Sequence, residues 1–217
     1  MLNHSAFIGR NMKYFAGLSL ASDSGMDSGI AILDENSTLI FVDKLYKVND
    51  IIFFFDNYSS LKDTKICVSL AWDRRLLNGK WRVLSKPYQL VTTNVNMPDQ
   101  DHWTQRYSTR CCDYFASLTG KGVQIDRFEL YLTRQSMHLN SCYKERSPAD
   151  CKFLQQTLHS EHGIKLPVNM MPMSQLEAIV GAILAKETVK NKANIKQISS
   201  FKGLNVVDVI QSVKIYE

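Results

Sequence analysis

The stretch from Tyr14 to Asp34, YFAGLSLASDSGMDSGIAILD, holds the first candidate chemistry in the chain. It reads as an apolar strand, a loop of small polar residues and a second apolar strand, and such a loop can bring an acidic group or a phosphate to a strand end. A metal-binding aspartate would suit the first strand, but the residue there is Ser19. The loop carries Asp23 and Asp27, which either satisfy their own backbone in a turn or point inward. Glu129 stands in the apolar run RFELYL, so it is either an outward-facing edge residue or a functional acid. Ser174 and Glu177, three residues apart before an apolar helix, have the spacing of a capping box, in which hydroxyl and carboxylate satisfy the first backbone donors.

Other constellations carry less. Arg74, Arg75, Lys80, Arg82 and Lys86 are interleaved with Trp72 and Trp81. Cations beside aromatic faces suit phosphate contacts plus base stacking; the alternative is a solvated hairpin turning at Asn78–Gly79, with the tryptophans packed beneath it. His138, His159 and His162 lack metal-ligand spacing, and the last two fall near a helix end, where they favour the negative pole of the helix dipole. The adjacent Cys111 and Cys112 have no histidine in a predictable geometry, which leaves a nucleophile without its base.

Residues like these need elements to position them. The 217 residues suffice for one domain, 13–217, with a substantial core, preceded by an extension over 1–12. A net charge of +5 permits contact with phosphate without demanding it. No apolar run approaches the roughly 20 residues that span a bilayer. Five cysteines without a CxxC pair suit reduced thiols in a cytoplasm. Strands are expected over Tyr14–Leu20, Gly29–Leu33 and Thr38–Leu45, with Asp34, Glu35 and Asn36 turning the chain between the last two. A helix from Ile51 to about Leu61 follows, capped by Asn49 or Asp50, then a buried strand at Lys65–Ala71. An insertion covers about 72–103. Beyond it come a helix over Thr104–Thr119, a strand over Arg127–Leu132, a helix from Ser147–Pro148 to Gly163, and a long helix over Met173–Lys190 with Leu176, Val180, Ile183 and Leu184 on one stripe. The tail Asn205–Tyr216 reads as extended. A three-strand meander, a crossover helix and a buried strand beside it make an α/β, RNase H-like topology with a mixed sheet.

Four segments add a resemblance. Gly17-Leu18-Ser19-Leu20-Ala21, Val68-Ser69-Leu70-Ala71, Glu129-Leu130-Tyr131-Leu132 with the downstream Tyr143-Lys144, and Ser174-Gln175-Leu176-Glu177-Ala178 running on to Ala182 and Ala185 follow one another in order. Together they resemble the predicted RNase H-like nuclease family known as domain of unknown function four-two-nine, over roughly residues 13 to 190. That family carries aspartate where this chain has Ser19, Ser69 and Ser174; Glu129 is retained, and Glu177 replaces an aspartate.

The resemblance implies hydrolysis by two divalent ions about 4 Å apart. Magnesium or manganese would be held by carboxylate and phosphate oxygens. Serine hydroxyls bring no charge to hold a dication, so the expectation is a degenerate site on a domain that binds nucleic acid or nucleotide. An active phosphodiesterase would instead recruit Glu129, Glu177 and a loop aspartate such as Asp73, with Mg or Mn as cofactor. A third reading, an actin-like nucleotide-binding domain, draws on the Ser22–Gly29 loop, which lacks that family's strand aspartate and its lysine or threonine at the tip.

Overall fold

The computed structural model describes residues 13–21, 27–69, 111, 113–144, 146–201 and 204–210. β1 (Tyr14–Ser19), β2 (Ser28–Asp34) and β3 (Leu39–Leu45) form the antiparallel meander. Its second turn closes as the acidic and amide residues require: Asp34 Oδ1 accepts from the backbone N of both Asn36 and Thr38 at 2.8 Å. α1 (Val48–Asn57) then crosses over to β4 (Thr64–Ser69), which lies parallel to β1. β5 (Gln124–Phe128) extends the parallel set. A terminal hairpin completes the sheet: β7 (Leu204–Val209) runs parallel to β5, and β6 (Ile195–Phe201) pairs antiparallel with β7. The order β3-β2-β1-β4-β5-β7-β6 begins with the five-strand arrangement of an RNase H-like domain, and the fold is that mixed α/β architecture. Of the terminal hairpin, only β7 falls in a segment expected to be extended.

Helices cover both faces. α1 and a helical segment over 113–120, α2, pack on one side with Ala16, Leu18, Ile30, Ile32, Ile66 and Val68. α3 (Leu130–Ser136), α4 (Pro148–His162) and α5 (Met173–Lys190) cover the other, over Phe15, Ala31, Leu33, Cys67 and Phe128. With both faces covered, strand alternation sorts residues between two cores rather than between core and water, so β1, β2 and β4 read as almost unbroken apolar runs.

α4 starts and stops where its sequence signals. Ser147 Oγ accepts from Asp150 N, Pro148 occupies the first turn, and Gly163 ends the helix in the left-handed region at φ 66°. α1 begins earlier than expected, at Val48, because Asp50 reaches back from the third helical position to the Lys47 backbone N at 2.8 Å rather than serving as the cap.

α5 departs most from its expected single stripe: side chains all round it are buried from Met173 to Ala185, apart from Gln175. Three glycines cause this. A Cβ on Gly17 would lie 1.9 Å from the Ala178 carbonyl oxygen, and one on Gly29 would lie 1.9 Å from that of Ser174. A Cβ on Gly181 would lie 3.1 Å from the Gly17 Cα. Helix backbone therefore rests directly on strand backbone, and the flanks of α5 sink between the neighbouring side chains. Each large aliphatic side chain buried in that seam contributes roughly 1.5–3 kcal/mol. The strand expected over Arg127–Leu132 is also corrected: β5 ends at Phe128, and α3 starts at Leu130 with Glu129 as its cap.

Candidate functional site

Parallel strands bring their C-terminal ends to one edge. Ser19, Ser69 and Phe128 close β1, β4 and β5 there, and β2 starts there with Gly29 paired to Ser19. Because α5 is pressed onto Gly29 at its first turn, Ser174 and Glu177 arrive at that edge as well. The two strand-end serines are used differently. Ser69 Oγ accepts from the Leu20 backbone N at 2.7 Å, the backbone partner expected for a buried hydroxyl. Ser19 Oγ instead donates to Glu177 Oε2 at 2.9 Å, tying the end of β1 to α5.

The capping-box reading of Ser174 and Glu177 is therefore overturned. Pro172 is the N-cap and makes no side-chain cap bond, and its carbonyl receives the Gln175 and Leu176 N–H groups. Lodged against the sheet edge, the first-turn side chains meet strand-end groups instead of their own backbone. Ser174 Oγ donates to Asp27 Oδ2 at 2.5 Å, and Lys44 Nζ lies 3.2 Å from the same oxygen. Asp27 thus looks across to α5 and β3. Burial alone would raise its carboxyl, but the Ser174 hydroxyl and the Lys44 ammonium outweigh that and hold it below its ordinary value.

Glu177 is the centre of the cluster. It is 2% exposed, and both of its carboxylate oxygens lie 3.1 Å from Arg146 Nη1. Burial pushes its pKa up, with the Arg146 charge and the Ser19 hydroxyl pulling the other way. Arg146 has φ 57°, a left-handed conformation uncommon for a residue with a Cβ and costing of order 1 kcal/mol. Its backbone N donates to Asp150 Oδ2 at 2.9 Å, which holds that conformation in place. Asp150 is fixed in turn by Arg134, whose Nη2 donates to Oδ1 at 2.7 Å, and by the Ser141 hydroxyl at 2.7 Å. Arg134 also donates through Nη2 to the Leu139 carbonyl at 3.2 Å. Glu177, Arg146, Asp150 and Arg134 together sum to zero formal charge, so the cluster is neutral without any added ion.

Glu129 reaches the same edge by chain position, directly after Phe128, which pairs with Ser69. Its Oε2 accepts from the Leu132 backbone N at 2.8 Å, capping α3. His159 Nδ1 lies 3.0 Å from the Ile164 carbonyl at the end of α4, the structural place expected of it. Asp23, Asp73, Arg74, Arg75, Lys80, Arg82 and Lys86, with Trp72, Trp81 and Cys112, lie outside the described residues. Arg146, Arg134, Asp150 and Lys44 were not legible as site residues. One signal was present: Ser147-Pro148-Ala149-Asp150 is a capping pattern with an acid at its third helical position, which marks the chain just before it as pinned.

A pair of magnesium or manganese ions needs several carboxylates converging on shared oxygens. The edge offers hydroxyls at Ser19, Ser69 and Ser174, and its buried carboxylate is already held by a guanidinium. Among the described residues, no group of three His, Cys, Asp or Glu is placed to hold a metal ion. The described residues of this edge do not by themselves make up the carboxylate set of a two-ion group.

No family model matches the chain, and no curated protein does either. Among solved structures, the chain is similar to a Thermus thermophilus RuvC structure, with 7% identity, a TM-score of 0.47, and coverage of 83% of this chain and 96% of that one. The fold assignment stands on strand order and direction. No helix among the described residues is long and apolar enough to cross a membrane.

Proposed function

We propose that this chain is a degenerate member of the RNase H-like nuclease superfamily, resembling domain of unknown function four-two-nine, that binds nucleic acid or nucleotide without cleaving it. The observation that carries the reading is the state of Glu177: buried, bonded to the Ser19 hydroxyl and held by Arg146 on both oxygens. A working metal centre needs its carboxylate oxygens turned to the ion, and both oxygens of Glu177 already accept hydrogen bonds from this chain. The ligand class comes from the sequence, where Arg74, Arg75, Lys80 and Arg82 alternate with Trp72 and Trp81. Cations and aromatic faces in alternation suit a phosphate backbone and stacked bases.

A second reading, a metal-dependent phosphodiesterase, is favoured by one contact. Asp27 bonds to Ser174 in the first turn of α5, three residues before Glu177, so a loop aspartate does reach the helix that carries the acid. Melting and cleavage assays separate the two. With Mn²⁺, the wild-type chain is expected to melt unchanged and to leave DNA and RNA intact, since a ligand stabilises only a state that binds it. A clear rise in melting temperature together with cleavage establishes the phosphodiesterase, and a rise with ATP but not with metal alone points to nucleotide binding of the actin-like kind. Binding to single-stranded DNA should weaken as salt increases. Changing Ser19, Ser69 and Ser174 together to Asp should create Mn²⁺ binding if the site is a degenerate one; a folded triple variant that ignores Mn²⁺ removes the family comparison.

A further inference from the structure

We infer that Arg146 is the resident cation of the sheet edge, standing on Glu177 where a divalent ion would stand, so that the fold keeps its buried acid without metal. This rests on the reading of the edge as a degenerate metal site and specifies what replaced the ions.

Three observations converge. One guanidinium nitrogen, Arg146 Nη1, sits 3.1 Å from both oxygens of Glu177, so a single positive centre bridges the carboxylate as a metal would. The arginine side chain is 21% exposed while its partner is 2% exposed, so the cation enters from the solvent side of a buried acid. The backbone of Arg146 is held in an uncommon conformation by Asp150, itself gripped by Arg134 and Ser141, so the cation is delivered by a built support rather than by a wandering surface chain. Lys44 stands on Asp27 in a similar way, but at 31% and 26% exposure that pair is solvent-screened and contributes little. The buried acid makes Arg146 the member that matters.

The test uses thermal melts of the full chain in EDTA and in millimolar Mn²⁺. Arg146→Met keeps length and removes charge, and is expected to lower the melting temperature in EDTA by about 10 °C, because it strands a buried acid. Mn²⁺ should leave the wild type unmoved. Arg146→Met combined with Glu177→Gln should melt well above Arg146→Met alone, since no buried anion is left to neutralise, and should ignore Mn²⁺. Arg146→Lys should stay close to wild type and also ignore Mn²⁺, because one nitrogen makes both contacts. If Arg146→Met does not fold without metal, Arg146→Lys and the double variant decide: both fold if the inference holds, and failure of both to fold overturns it. It is equally overturned if Arg146→Met melts within about 2 °C of wild type, or if the double variant melts no higher than Arg146→Met. If the wild type itself gains stability from Mn²⁺, the degenerate-site reading falls with it; if the wild type ignores Mn²⁺ and the Arg146–Glu177 coupling is missing, this inference falls alone.

Discussion

Asp150 does more at the residue scale than its place in the sequence announces. It is 1% exposed and receives the Arg134 guanidinium, the Ser141 hydroxyl and the Arg146 backbone N–H. Asp150→Asn leaves Arg134 buried beside a neutral partner, so a loss of about 3–5 kcal/mol is expected in urea unfolding. The pH dependence follows from its titration. Burial would raise the Asp150 carboxyl, but the bonds from Arg134 and Ser141 bring it below its ordinary value. A depressed folded value gives stability that is present above the unfolded pKa, about 3.9, and is lost as pH falls through the depressed one. Wild type should therefore show an acid limb there that Asp150→Asn lacks, measured by melts between about pH 2 and 5. Glu177 acts with the opposite sign: its raised carboxyl gives stability that is full below its unfolded value and fades as pH rises through the folded one. The serines and Glu177 were grouped by the family resemblance, while their own spacing pointed Ser174 and Glu177 to a cap. The sequence did not show Arg146, since the charge reaching Glu177 comes from a loop 31 residues away whose backbone conformation no local pattern encodes.

Among the elements, the contact between α5 and β1 decides most. Gly17→Ala would drive a methyl to within 1.9 Å of the Ala178 carbonyl oxygen and 2.2 Å of the Ala182 N, both backbone atoms that cannot swing aside. The expected loss is at or above the upper end of the roughly 1–3 kcal/mol usual for overpacking. Gly120→Ala is the matched control: nothing lies within 4 Å of the added carbon, so its urea midpoint should stay or rise slightly. The meander, the crossover helix, β4, α4 and α5 were legible because caps, turn residues and apolar runs mark them locally. The start of α3 was not: Glu129-Leu130-Tyr131-Leu132 has the composition of a strand, and only the sheet's end at Phe128 and the Glu129 cap on Leu132 make it a helix. β6 was missed for a related reason. Lys196, Gln197, Ser199 and Ser200 carry little apolar signal, and the strand is defined by its pairing to β7.

At the scale of the whole molecule, the described residues build a seven-stranded sheet whose two outermost strands on one side are β7 and β6. β7 shields β5, which would otherwise be an edge, and Asp208 fastens the addition by accepting from the Ser136 hydroxyl on α3 at 2.8 Å. β1 sits third from the opposite margin, flanked by β2 and β4, with α5 lying on it through Gly17 and Gly181. That placement sets the order in which the molecule comes apart. Peptide groups in β1 are hydrogen-bonded on both sides, and the helix lies too close above Gly17 to admit solvent. Local breathing cannot expose them, and they should trade protons with deuterated water only when the entire domain opens. Measured by mass spectrometry, Phe15 to Leu18 should be the slowest stretch, while β3, at the margin, exchanges through smaller excursions. A polar centre built onto the slowest strand inherits that rigidity: Ser19 holds its aim at Glu177 for as long as the protein remains folded.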